Sequence, residues 1–464
     1  MRPSLTEVIE ALSDGLPDAA VVLDADVLAS YAVDRAMYCA AGEAAALVHA
    51  RSTVQVQHVM RVASRYAVPV VPQGARSGLS GAANAVDGCI LLSLEKMNRV
   101  LEVDVPNRLV VTQPGIYNAD LSRAVGEQGL FYPPDPSSWE FCSIGGNVST
   151  NSGGLCCVKY GVTTDYVLGL EVVLAGGDIL HTGRRTVKGV AGYDLTRLFV
   201  GSEGTLGVIT EITLALRPAT QQPLTVVGVF ESARHAADAV TGVVTSGVVP
   251  SLLEFMDRVS VLAVNDAFKM GISPEAGALV LAQSDSGGER GRDEVRRIAE
   301  VLQAAGAFEV VVADDPAEGA LLLAARREVL TAFERLGTTM IDDVCVPRTR
   351  IAELVERVEK VAASCGLTIG IVGHAGDGNF HPTVVFDGAD PDQVARAKQA
   401  FDEIMVISLD LGGTITGEHG VGLLKIEMLE RELGELSIDV HRRLKQALDP
   451  QGILNPGKVF TLRG

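Results

Sequence analysis

Pro72-Gln-Gly-Ala-Arg-Ser-Gly-Leu-Ser-Gly81 decides how the first half of the chain is read. It follows the apolar run Pro69-Val-Val-Pro72 at once, so a short buried strand delivers the chain into a loop rich in glycine and serine. Glycine lets a backbone approach a neighbour closely, and successive N–H groups in such a loop can form a concave anion nest. A plain tight turn fits the same residues. Neither familiar phosphate loop is present: no GxGxxG follows a strand at Rossmann spacing, and no GxxxxGK[ST] occurs. Any dinucleotide bound here is held in another way.

Around this loop the pattern alternates. Ser4-Leu-Thr-Glu7 is a capping box that opens a short helix. Residues 53–67 predict a helix, 90–94 and 109–112 predict strands, and 117–128 predict a helix. Residues 166–174 and 179–181 flank Gly176-Gly177-Asp178, a hairpin signal, and 207–216 predict a further strand. From Phe131 to Gly161 the chain is so dense in Pro, Gly, Asn and Ser that a long functional loop is expected. After Pro218 strands (225–230, 278–282, 308–312) alternate with helices (233–245, 289–304, 318–335, 350–363), which reads as a second, α+β domain. The tail Asp449-Pro-Gln-Gly-Ile-Leu-Asn-Pro-Gly-Lys458 is either frayed or docked.

Composition narrows the function. The chain has 464 residues, 47% of them hydrophobic and 21% charged, so it is globular and large enough for several domains. Its net charge of −19 argues against a nucleic-acid partner and against adsorption to anionic lipid. No apolar run is long enough for a transmembrane helix, and the N-terminus does not read as a secretory signal. The seven cysteines form no CxxC, which indicates neither a zinc ribbon nor an iron–sulfur cluster on this chain. A reduced, cytoplasmic protein is expected, reaching a membrane only through a partner.

Two further constellations carry chemistry. The first comprises Pro133-Pro134-Asp135, Ser143-Ile-Gly145-Gly146-Asn147, Asn151-Ser152-Gly153-Gly154 and Gly201-Ser-Glu203-Gly204-Thr-Leu-Gly-Val208-Ile209. A flat ligand could lie against the bare backbone of these glycines, with Asn and Ser at a heterocycle edge. An irregular glycine-rich core is the other reading. The second is Gly373-His374-Ala-Gly-Asp-Gly-Asn-Phe-His381, with Gly417-Glu418-His419-Gly further on. A turn between two strand-like runs would bring both imidazoles to one side. Glu418 would complete a two-His-one-carboxylate metal set with open positions. Arg326 offers a guanidinium fork that suits a carboxylate, although surface helices carry such arginines too.

From about residue 40 to the C-terminus, these blocks together resemble the vanillyl-alcohol oxidase and p-cresol methylhydroxylase superfamily, in particular its D-2-hydroxyacid dehydrogenase branch. The resemblance implies a two-part FAD-binding domain over residues 1–218, an α+β substrate cap over 219–416, and a helical segment, 417–464, that returns to the flavin. It implies that Pro72, Gly74, Ala75, Arg76, Ser77, Gly78, Leu79 and Ser80 cradle the pyrophosphate. Pro134, Asp135, Ser143, Gly145, Gly146, Asn147, Asn151, Ser152, Gly153, Gly154, Glu203, Gly204, Val208 and Ile209 would line the rest of the cofactor, with Asn455 joining from the tail. The pyrophosphate loop contains no His, so non-covalent FAD is expected.

The same resemblance gives His374, His381 and Glu418 a divalent metal (zinc, manganese or iron), makes His419 the base, and sets Arg326 on the substrate carboxylate. Leu323 stands where the branch has Trp beside that Arg. Leu330, Ile341 and Thr383 stand where the 2-hydroxyglutarate enzymes have Thr, Lys and Asn. A small monocarboxylate, D-lactate or glycolate, is therefore expected. Electrons would pass to a quinone, a cytochrome, an electron-transfer flavoprotein or an iron–sulfur partner chain. An alcohol or sugar oxidase of the same superfamily, and the flavin subunit of a larger complex, are the alternative readings.

Overall fold

A computed structural model describes residues 4–313 and 315–461. The chain forms two compact units. The first comprises Met1–Ser152, Val162–Ala219 and Glu418–Gly464, and the second comprises Gly153–Gly161 and Thr220–Gly417.

The first unit contains two main sheets. In the smaller, Ala46–His49, Ile90–Ser93 and Val70–Gln73 run parallel, with Val21–Val22 antiparallel at one edge. The central strands are apolar on both faces, as parallel strands buried between layers must be. Thr53–Tyr66 is the crossover helix between Ala46–His49 and Val70–Gln73. Its buried residues Val56, Val59, Met60 and Ala63 repeat at helical spacing, and Ser52 caps its start. The other sheet is antiparallel, in the order Val100–Asp104, Leu109–Thr112, Val208–Ala215, Val167–Val173, Ile179–Gly183.

The tail is docked on this unit. Val70 N–H donates to Ile453 O and Asn455 N–H to Val70 O, each at 2.8 Å, so Leu454 extends the parallel sheet past the edge strand Val70–Gln73. Ile453 and Leu454 join the core of Val48, Val56, Met60, Ile90 and Val173.

The expected loop over 131–161 is corrected in part. It holds two short helices, Ile144–Thr150 and Cys157–Tyr160. Gly145-Gly146 argues against a helix by propensity, but packing overrides it. A Cβ on Gly145 would come within 2.5 Å of Pro114, so only glycine lets this helix start against that turn.

The second unit is built on one eight-stranded antiparallel sheet. Its order is Glu309–Ala313, Leu224–Phe230, Ala278–Ser284, Leu252–Asp257, Thr368–His374, Asn379–Phe386 and Thr338–Ile341, with Val344–Cys345 also paired to Asn379–Phe386. The strand Leu252–Asp257 near the middle is absent from the sequence reading. The single helix expected over 318–335 is two, Pro316–Arg327 and Val329–Glu334, broken at Glu328. Leu155, on the returning segment, belongs to this unit's core with Leu252, Leu281, Phe333 and Val372.

Candidate active site

The loop after Val70–Gln73 is held by its carbonyls. Ser80 O accepts from Leu423 N–H (2.8 Å), Gly81 O from Lys458 Nζ (3.0 Å), Ala82 O from Asn455 Nδ2 (2.9 Å) and Asn84 O from Lys458 Nζ (2.6 Å). Gly78 O accepts from Arg35 N–H. Arg76 has a left-handed φ of 54°. Among the described residues, the backbone N–H groups of Arg76 to Ser80 donate to no protein group. Carbonyls drawn off and N–H groups left over make the nest that a diphosphate needs. A Cβ on Gly78 would find only Asp34 within 4 Å, so that position stays open. These residues fit FAD pyrophosphate.

Several side chains expected to touch the cofactor also make contacts within the protein. Arg76 lies over the Tyr31 ring at 3.7 Å and pairs with Glu95 at 3.5 Å. Ser143 Oγ accepts from Ala75 and Gly146 N–H and so ties the helix start to the loop. Asn147 is buried and bonded to Cys142, Ser152 and Asn118. Asn151 Oδ1 accepts from Thr164 N–H, and Pro134 O accepts from Asn118 Nδ2. Asn455 Nδ2 bridges Ala82 O and Glu203 O.

Glu203 accepts from Val421 and Gly422 N–H at 2.8 and 2.9 Å. Burial pushes its carboxyl up to about 7 despite those two bonds. Gly204, at φ 71°, packs beside Pro72, and Val208 and Ile209 are buried on their strand. Ser77 and Leu79 are half-buried in the loop, Asp135 is half-buried, and Ser80 is buried. Gly153 and Gly154 fall in the second unit.

Lys458, fully buried, was missed by sequence reading. Burial pulls its ammonium down to about 8, against the raising influence of Asp34 and other neighbours. Its only sequence signal is a cation in a tail that reads as turns.

In the second unit the hairpin expected between the histidines is present. Thr368–His374 and Asn379–Phe386 pair with His374 opposite Asn379 and Val372 opposite His381. Gly378, at φ 90°, closes the turn. The two imidazoles stand edge to face with centroids 5.3 Å apart, and both are buried.

Behind them lie two carboxylates that sequence reading passed over. Glu254, 1% exposed in the strand Leu252–Asp257, sits 2.8 Å from His374 Nδ1 with one oxygen. Its other oxygen is 2.8 Å from the Arg326 guanidinium. Burial opposes its charge, but His374 and Arg326 outweigh burial, so its carboxyl lies below the usual range. Asp343 accepts from Asn379 Nδ2, Thr416 Oγ1 and Gly417 N–H, and its Oδ1 is 3.7 Å from His381 Nδ1.

A pair of imidazoles backed by carboxylates is a donor set that fits a divalent metal. Glu418 and His419 follow Gly417 directly, at the start of the first unit's last segment, with His419 Nε2 3.9 Å from Glu418 Oε1. Arg326 is buried in the helix Pro316–Arg327, which excludes the surface-arginine reading. Its Nε makes no hydrogen bond among the described residues.

Comparison with known proteins covers most of the chain. Residues 44–183 match a family described as FAD binding domain, and residues 220–459 match FAD linked oxidases, C-terminal domain. The chain is 43% identical to glycolate oxidase subunit GlcD of Bacillus subtilis over 90% of this chain and 89% of that protein. It is 35% identical to D-lactate dehydrogenase of Anaerostipes hadrus over 98% and 97%. The fold matches that of p-cresol methylhydroxylase solved with substrate bound, at TM-score 0.83 and 17% identity, covering 99% of this chain and 97% of that one.

Proposed function

This chain belongs to the FAD-linked oxidases and is an FAD-dependent oxidoreductase; from that premise we propose that it oxidises a small D-2-hydroxy acid, D-lactate or glycolate, to the 2-keto acid (glyoxylate from glycolate), with the help of a divalent metal. The observation that carries this reading is the buried run from Arg326 through Glu254 to His374. It sets an anion-binding group and one imidazole of the pair on a single carboxylate. The names of the relatives, glycolate oxidase subunit and D-lactate dehydrogenase, point to the same substrate class.

FAD, held without a covalent bond by residues 72–81, would supply the acceptor for the hydride that leaves the substrate carbon. Zinc, manganese or iron on His374, His381 and Glu418 would supply Lewis acidity at the substrate hydroxyl. Arg326 binds the substrate carboxylate through the part of its fork that Glu254 leaves over. His419 takes the hydroxyl proton, a contribution of roughly 10²–10⁴-fold. Glu203 and Asn455 act on the cofactor through the position of the loop they brace. The chain thus divides into a flavin unit, a substrate unit and a last segment that belongs with the flavin.

The tail of the substrate is short. Leu330 and Ile341 offer no donor to a second carboxylate. A buried unpaired charge costs about 3–5 kcal/mol. A preference of at least ~100-fold in kcat/KM for D-lactate or glycolate over D-2-hydroxyglutarate follows, about 2.7 kcal/mol. Electrons then leave for a partner chain or a diffusible acceptor, since the relatives in Bacillus subtilis and Escherichia coli are named as subunits. Among the described residues no helix is long and apolar enough to cross a membrane.

The test is anaerobic bleaching of the bound flavin by D-lactate, glycolate, D-2-hydroxyglutarate and D-2-hydroxybutyrate, followed by steady-state kinetics with a dye acceptor. Fast bleaching by one of the two small acids is expected. Preference for D-2-hydroxyglutarate, or bleaching by none, overturns the reading.

A further inference from the structure

Glu254 stands in the middle of an eight-stranded sheet, between Leu253 and Phe255, at 1% exposure. A carboxylate is expensive in such a place unless its partners compensate, and an apolar residue would pack there with less penalty. Its two oxygens serve two different elements. One faces His374 Nδ1 on the hairpin, at 2.8 Å, and the other faces Arg326 on the helix Pro316–Arg327, at 2.8 Å.

A carboxylate on Nδ1 fixes that nitrogen as the protonated one and directs the imidazole's lone pair to Nε2. The same carboxylate is ion-paired to Arg326 Nη2 at 2.8 Å without hydrogen-bond geometry, and Nε makes no hydrogen bond among the described residues. One residue therefore sets both the tautomer and angle of the imidazole and the standing of the guanidinium. In a 2-hydroxy acid the carboxylate and the hydroxyl sit on adjacent carbons, so the groups that bind them must keep a fixed spacing.

We propose that Glu254 is the positioning residue that couples the carboxylate clamp at Arg326 to the metal ligand His374, and so selects acids whose hydroxyl is adjacent to the carboxylate. This rests on the substrate and metal reading above. Asp343 Oδ1 lies 3.7 Å from His381 Nδ1, farther than Glu254 from His374, and of the two carboxylates it is Glu254 that faces the clamp arginine, Arg326.

The experiment uses the full chain with FAD bound. Metal is removed by chelation and manganese is titrated back into the parent and into Glu254→Gln, with binding read by calorimetry. KM and kcat are then measured for D-lactate and for 3-hydroxybutyrate. Glu254→Gln is expected to weaken manganese binding 10–100-fold, the usual effect of losing a carboxylate behind a ligating His. It is also expected to raise KM for D-lactate more than it lowers kcat, and to narrow the preference over 3-hydroxybutyrate, with the flavin spectrum unchanged.

If that variant does not fold, Glu254→Asp, which keeps the charge one methylene shorter, is expected to move the same readouts in the same direction. Manganese affinity and KM within twofold of the parent in the variant that folds overturn the coupling while leaving the functional reading intact. A parent that takes up no divalent metal and is reduced by no 2-hydroxy acid overturns that reading, and this inference with it.

Discussion

The two candidate sites are made of different material. In the first unit the Gly74–Gly81 loop works through its backbone. Carbonyls in and just after it are tied off by Leu423, Asn455 and Lys458, the N–H groups of Arg76 to Ser80 remain, and polar side chains nearby such as Ser143 brace it. In the second unit side chains do the work, and each is held by another buried side chain: His374 by Glu254, Glu254 by Arg326, Asn379 by Asp343. A backbone site tolerates side-chain change as long as the braces hold. A side-chain site fails when any member of the chain is lost.

The contrast is sharpest at two nearby glycines. A Cβ on Gly422, already at φ 51°, would lie 2.1 Å from Ser80 O, so Gly422→Ala must push the flavin loop off its brace. A Cβ on Gly417 would lie 2.2 Å from Asn379 Nδ2, so Gly417→Ala must pull Asn379 off Asp343. Gly422→Ala is expected to lose at least ~10-fold in flavin affinity, a cost of roughly 1.4 kcal/mol or more, in line with a left-handed alanine plus a clash. Gly417→Ala is expected to keep flavin and lose metal by a similar factor. Flavin and metal counted in both purified variants check this. Equal losses of both in both variants would erase the distinction.

The same contrast explains what the sequence disclosed. A backbone site is local, so glycines and turns at 72–81 announce it, and the hairpin that carries His374 and His381 is just as local. Glu254 is invisible because an acidic residue in Ser251-Leu-Leu-Glu-Phe-Met256 reads as ordinary polarity. Only the sheet that sets Phe255 opposite Gly373 brings it to His374. Lys458 was hidden for the same reason, its partners Gly81 and Asn84 lying far away in sequence. The helix Ile144–Thr150 was misread because Gly145 answers to Pro114 and not to helix propensity.

A smaller effect tests the braces directly. Unfolded, Glu203 titrates near its ordinary 4.5; folded, burial raises it to about 7. Between those values the folded state holds the extra proton, so its contribution to stability is present at low pH and lost as pH rises through about 7. Glu203→Gln still accepts a hydrogen bond but carries no charge. It should flatten this slope; near pH 8 the roughly 3 kcal/mol released by removing the buried charge is reduced by the backbone N–H that its Nε2 cannot accept. Thermal melts of parent and variant from about pH 5 to about pH 8 check this, and parallel slopes would remove Glu203 from the account.

The central claim is that flavin and substrate chemistry rest on separable sets of residues, and His381→Ala tests it most directly. Flavin and metal are counted in one preparation of the variant, and D-lactate is added without oxygen. Full flavin, lost metal and bleaching slowed by roughly 10³-fold, the scale of several kcal/mol of charge stabilisation, are expected. Full metal occupancy, or flavin lost along with the metal, would contradict that claim.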